Sequence, residues 1–269
     1  MKARTALSGV IVIAALTALA LLAPKLPLGS PTQISKDHAL VGPSLREPFG
    51  MDDLGRSVLG RVVHAYRISL GVAVASVLLA LLIGGPLGLV AGYAEGWPDH
   101  LIMRPLDVLM AFPGILLAIA LMGVFGTGSL LVAGALAVVY TPVVARVVRA
   151  AVLATKIEVY VEGARAMGAT VPRVVFAHIV PNALTPVLVQ ASVLMALGIL
   201  IEAALSFLGV GVRPPTPSLG LMLSDGRGFM TQAPWMVIFP GLAIMLAVLG
   251  FNMLADGLRD WVDPQARAH

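Results

Sequence analysis

Long stretches of this chain carry no ionisable acid or base, and that limits its fold more than any other feature. Residues 6–24 and 68–94 are free of charge, and no charge occurs between Asp107 and Arg146. Two further apolar runs cover 183–212, interrupted only by Glu202, and 233–255. A helix rises 1.5 Å per residue, so about 20 apolar residues cross the roughly 30 Å of a bilayer's hydrocarbon core. The interval from Asp107 to Arg146 has room for two such helices. Gly126-Thr127-Gly128-Ser129 breaks it, and predicts a tight hairpin there. The expectation is therefore six spans. Backbone polar groups in lipid must bond within their own segment, which makes these spans helices. The period-2 alternation of a membrane β-barrel is absent. The fold class is an all-α polytopic membrane protein.

Composition agrees: 58% of the residues are hydrophobic and 12% charged, against about 25% charged in a soluble domain. Cysteine is absent, which excludes disulfides, thiol catalysis and cysteine-ligated metal. In so apolar a chain the net charge of +4 reads as topogenic and lipid-facing rather than as nucleic-acid binding. The first run has an alternative. Lys2 and Arg4 precede it and Ala18-Leu19-Ala20 resembles a cleavage site, as in a signal peptide. Its length and the five later spans favour a retained helix. Charge decides orientation only in part: the bias over the whole chain is weak, and Arg146, Arg149 and Arg259 near span ends favour their side as the inner one.

One region is out of character. Residues 155–182 form a polar, helix-prone island between two spans. Ile157, Tyr160, Val161, Ala164 and Met167 recur at helical spacing. Gly168 suits a helix C-cap, Thr170 an N-cap with Pro172 in the first turn, and Pro181-Asn182 is expected to stop that second helix. From spacing alone this is either an amphipathic connector on the headgroups or a docking element. Glu162-Gly163-Ala164, with Gly168 and then Ile179 and Pro181 at set distances, resembles the EAA loop of ABC importer permeases, the cytoplasmic element that plugs into an ATPase subunit. Gly163 departs from the alanine usual there.

Further segments narrow the resemblance. Phe49-Gly50-Met51-Asp52-Asp53-Leu54-Gly55-Arg56 precedes the second span; Ser206-Phe207-Leu208-Gly209-Val210-Gly211 leads to Pro214-Pro215-Thr216-Pro217-Ser218; Phe239-Pro240-Gly241-Leu242 and Asp256-Gly257-Leu258-Arg259-Asp260 frame the last span. From Phe49 onward the chain resembles the C-type permease of the dipeptide/oligopeptide/nickel group of ABC importers, departing at Met51 and Ser57. The resemblance implies the six-helix type I importer permease fold with a coupling-helix loop. It implies a homologous B-type permease, two cytoplasmic ATPases that bind the ATP and magnesium, and an extracytoplasmic binding protein. This chain would then hold no cofactor. It would reside in a prokaryotic inner membrane with both termini cytoplasmic. The expected division is an N-terminal helix, outer loop and interfacial helix in 1–67, and the transporter domain in 68–269.

Other polar residues have local readings. Glu202, near the outer end of the fifth span, is open to two: a gate or pathway residue, or a group paired near the interface. Asp107 is expected to open the third span as a helix N-terminal acid. Asp53 is expected to cap an interfacial helix bearing Leu54, Val58, Leu59, Val62, Val63 and Tyr66. Asn252 and Asp256 are expected as an interhelical hydrogen-bonder and an interfacial charge. His64, His100 and His178 are isolated, so no metal site is expected. No Walker A motif, HExxH or GxSxG occurs, which argues against an ATPase or intramembrane hydrolase. A stand-alone secondary transporter fits the span glycines and prolines but leaves the island unexplained.

Overall fold

The computed structural model describes residues 2–28 and 30–262. The elements are α1 (Lys2–Leu22), α2 (Val58–Ala94), α3 (Gly96–Met110), α4 (Gly114–Phe125), α5 (Ser129–Lys156), α6 (Val159–Ala166), α7 (Val171–Val174), α8 (Val180–Phe207), α9 (Leu219–Gly226) and α10 (Trp235–Val262). Among the described residues, five helices are long and apolar enough to span a membrane, or six counting the bent pair of α3 and α4 as one.

That pair departs from expectation. The apolar run after Asp107 does not begin a helix there, because Asp107 already lies near the C-terminal end of α3. Proline disfavours the helical region for the residue before it, and the chain breaks at Phe112-Pro113 and turns by 89°. Beyond the break, α4 has 12 residues, about 18 Å of helix and too short to cross alone. Asp107 is an ion-pair partner, bonded by Arg146 of α5 at 2.6 Å, rather than an N-terminal acid. The hairpin at 126–128 forms as expected, with Gly126 and Gly128 both at positive φ.

α2 and α5 pack along their whole facing lengths. The reason lies in Gly84, Gly88 and Gly92, one turn apart on α2. A Cβ at Gly88 would stand 2.3 Å from the Ala145 carbonyl oxygen, and one at Gly84 2.6 Å from that of Thr141. Small residues at this spacing let helix backbones touch, which is how helices gain contact where lipid removes the hydrophobic drive. Around this pair Val132, Leu136 and Tyr140 of α5, Val77 and Ala80 of α2, and Leu194 and Leu205 of α8 form one core cluster. A second joins α1, α2, α8, α9 and α10 through Leu16, Tyr66, Ile199, Leu219 and Phe251. α1 is therefore packed against α10 as a member of the bundle.

The expected interfacial helix capped by Asp53 is not a separate element. Ser57 is the N-cap, accepting the Gly60 N–H at 3.4 Å, and Val58 to Tyr66 are the opening turns of α2, which runs unbroken across residue 67. Asp52 organises the turn before it. Its Oδ1 accepts the N–H groups of Leu54 and Arg56, both at 2.9 Å, and its Oδ2 takes the Arg56 Nε at 2.6 Å and a nitrogen of Arg61 at 2.5 Å. The loop before α2 is pinned to α10 by Trp235, whose Nε1 donates to the Met51 carbonyl at 2.9 Å, and by Phe49 stacked on Phe239 at 4.0 Å. Asn252 and Asp256 are both exposed on α10, so the expected interhelical bond from Asn252 is not made within this chain.

Candidate functional site

The polar island folds as two short helices held crosswise at one end of the bundle. α5 ends at Lys156, and α6 comes next with Glu158 at its N-cap in extended backbone. Gly168 ends the element. Its φ is +85°, its N–H bonds to the Arg165 carbonyl at 2.9 Å, and the Ala169 N–H reaches back to Ala164 at 3.0 Å. This pair of bonds is the Schellman cap, whose left-handed residue is ordinarily glycine. Thr170 occupies the next N-cap position, but its hydroxyl accepts no helix N–H, contrary to expectation.

Pro181 does not stop the second helix. Between α7 and α8 the residues Val175–Ile179 wind as a π-helix, with the Val180 N–H donating to the Val175 carbonyl. A π-turn widens the backbone by one residue and takes up a local misfit without ending the helix. The segment Val171–Phe207 thus passes as one span of 37 residues, and the polar island and the fifth span are mechanically continuous.

The expected apolar stripe divides. Val161 and Ala164 turn inward, 0% and 6% exposed, and Val161 joins a cluster with Val152, Val174 and Ile179. Ile157, Tyr160 and Met167 face out, together with Val159 and Phe176; Met167 is 84% exposed and Val159 82%. Only an i, i+3 pair of this two-turn helix can reach the bundle. Of the motif residues, Glu162, Gly163, Gly168 and Pro181 are exposed and Ala164 and Ile179 buried. The loop thus turns small and branched residues inward and presents an apolar surface interspersed with Glu158, Glu162, Arg165 and Arg173, all exposed.

Polar contacts that sequence inspection did not find fix the loop to the ends of its neighbours. The Lys156 ammonium donates to the Tyr93 carbonyl at 2.6 Å and to Glu95 at 2.7 Å, where α2 ends. Lys156 and Arg165 both lie over the Tyr93 ring, at 5.2 and 5.7 Å, within cation–π range. Arg149 grips Asp99 of α3 with two nitrogens. These partners are at least 50 residues apart in sequence, so no local pattern signalled them.

Glu202 sits at the opposite end of α8, fully buried. Ser69 of α2 donates to its Oε2 at 2.7 Å, and Ser206 and Ser218 donate to its Oε1 at 2.9 Å each. Ser206, four residues on, was visible as a helical neighbour; the other two were not.

Residues 84–268 match the family described as binding-protein-dependent transport system inner membrane component. The chain is 43% identical over 267 residues to the dipeptide transport system permease protein DppC of Alkalihalophilus pseudofirmus, covering 99% of this chain and 88% of that one. It is 44% identical over 243 residues to the glutathione transport system permease protein GsiD of Pectobacterium atrosepticum, covering 90% and 81%. Among solved structures, an amino acid ABC transporter matches with a TM-score of 0.59 at 16% identity, covering 73% of this chain and 92% of that one. The MetNI methionine ABC transporter matches at 0.58 and 20% identity, covering 72% and 94%. At such identities the structural matches speak for the fold alone.

Proposed function

The chain belongs to the binding-protein-dependent transport system inner membrane components, and on that premise we propose that partner ATPases drive it, through the 157–179 loop, to import short peptides. It is a multi-pass inner-membrane protein, a transport subunit without chemistry of its own. The observation that carries the docking role is the outward apolar surface of Ile157, Val159, Tyr160, Met167 and Phe176 on a loop whose own anchors are satisfied. A patch of this kind on a membrane protein's polar face marks a protein contact. Glu162 at its edge adds charge for register.

Force delivered there has two rigid outlets. One is α7 and α8 through the π-turn. The other is Lys156, which ties the loop to the end of α2. ATP-driven closure of two ATPases would move both, and a loaded binding protein on the far side would favour one of the two conformations. A homologous B-type permease would supply the other half of the pathway, and ATP and magnesium would stay on the ATPases. Both termini would then lie in the cytoplasm with the loop. Peptide cargo is inferred from relatives named for dipeptides and glutathione.

The test is uptake in cells lacking this chain, with labelled di- and oligopeptides compared with nickel ion, alongside ATPase-dead partners. Peptide uptake lost in both backgrounds is the expected result. Loss of nickel uptake alone would replace the cargo, and uptake indifferent to the ATPases would leave a stand-alone transporter.

A further inference from the structure

The segment after α8 turns back onto the helix it has just left, and buried polar groups hold it there. Glu202 and Ser218 are 0% exposed, as is Ser206, and Ser69 is 1% exposed. A serine hydroxyl has one proton to donate, and all three protons point at the Glu202 carboxyl. The same hydroxyls receive backbone donors from the returning segment. Ser206 accepts the Val212 N–H at 3.2 Å, and Ser218, the N-cap of α9, accepts the Leu221 N–H at 3.5 Å. One side chain of α8 is therefore wired to α2 and to both ends of the 208–218 turn.

α9 is held at its other end too. Asp225 takes Arg61 at 3.3 Å and Arg56 at 3.8 Å, and both arginines are shared with Asp52. Between the two anchors α9 rests directly on α8. A Cβ at Gly220 would lie 2.0 Å from the Ala203 carbonyl oxygen. Glu202 is closed off from solvent and all its hydrogen bonds go to serines of the packed elements, so it is placed to hold an element rather than to touch cargo.

The geometry points to Glu202 as a positioning residue that latches α9 over the end of the bundle opposite the docking loop. The inference rests on the permease reading, in which that end must open and close in turn with the other. Breaking the bonds to Glu202 frees the N-terminal end of α9 and leaves the Asp225 end tethered, so the element swings rather than unfolds.

The chain has no cysteine, so a single introduced thiol reports opening. Met222 is on the buried face of α9, 3% exposed, and Val58 is 1% exposed at the start of α2. In the full transporter in its own membrane, the probe is a membrane-impermeant maleimide on Met222→Cys or Val58→Cys. Glu202→Gln is expected to speed labelling of Met222→Cys about tenfold, the effect of weakening hydrogen bonds to a charged group, and to leave Val58→Cys unchanged. Ser218→Ala should give a smaller rise. The double variant should label no faster than Glu202→Gln, because the two changes break one connection. Unchanged labelling at Met222→Cys, or an equal rise at both positions, would overturn the latch, the second by showing general loosening. If Glu202→Gln does not accumulate in the membrane, Ser218→Ala carries the test on the same terms. Labelling needs no transport, so its failure leaves the permease reading standing. ATP-independent uptake would sink that reading while leaving the labelling result intact.

Discussion

Gly168 and Gly163 stand five residues apart in the same loop, and the structure asks different things of them. Gly168 has φ +85°, a conformation that costs other L-residues about 1 kcal/mol or more. Gly163 is ordinary helix. A Cβ at either would meet no atom within 4 Å, so sterics does not separate them and backbone does. Gly168→Arg should therefore open the Schellman cap and reduce uptake at least about tenfold, given that one to two kcal/mol is lost from a marginal element, while the protein remains in the membrane. Gly163→Ala should leave uptake intact and firm the helix by about 1 kcal/mol. Normal uptake by Gly168→Arg would remove the docking role from this turn. Asp53 makes a separate case. Burial first, then the neighbouring Asp52 carboxylate, pushes its carboxyl above the ordinary value, while Arg56 pulls it down. The folded chain then binds this proton more tightly than the unfolded chain. Stability at this group is greatest below the unfolded value, falls as pH rises between the two, and stays reduced above the folded value. Asp53→Asn should raise the melting temperature in detergent at neutral pH, and the advantage should vanish below about pH 4. A gain that persists in acid would assign the effect to something other than charge.

At the scale of elements, the α2–α5 seam gives a paired comparison. A Cβ at Gly88 would collide with the backbone of α5, whereas one at Gly85, on the next face, meets nothing within 4 Å. Gly88→Ala should destabilise by about 1–3 kcal/mol, the range for overpacking, seen as a lower melting temperature in detergent, and Gly85→Ala should not. Equal melting of the two would mean that the helices do not meet as described. The same seam marks what sequence alone can convey. The spans were legible because hydrocarbon imposes a minimum run of apolar residues, and the hairpin at 126–128 because its glycines are local. The docking loop was legible as residues and spacing. Its inward face was not, since which of Val161 and Tyr160 turns inward depends on α5 and α8. Pro113 and Pro181 show the limit most clearly. Both are prolines in apolar helical surroundings; one breaks the chain through 89° and the other is absorbed by a π-turn. The outcome is set by whether neighbours hold the flanking turns together, and that is a tertiary property. The Glu202 cluster was hidden for the same reason, its donors lying on α2, on α8 and before α9.

Across the whole molecule, two long rods connect the ends. α2 has 37 residues, as does the segment Val171–Phe207, each about 55 Å at a helical rise and so longer than the hydrocarbon they cross. At one end the rods flank the docking loop, where Lys156 bonds to the last turn of α2. At the other end Ser69 and Glu202 join them directly. In the proposed mechanism a push on the loop would reach α9 through rigid helices rather than through a chain of soft contacts. This arrangement has a topological consequence. Met167 on the loop, and Thr231, exposed in the turn before α10, must lie on opposite sides of the membrane. An impermeant maleimide applied to intact cells should label Thr231→Cys and spare Met167→Cys, and inverted vesicles should reverse the pattern. The second arm bears on docking itself. Met167→Cys in inverted vesicles should be protected while the partner ATPases are bound and should become reactive once they are stripped. An amphipathic connector lying on the headgroups would show the same reactivity in both preparations, and that result would return the loop to a lipid-facing role.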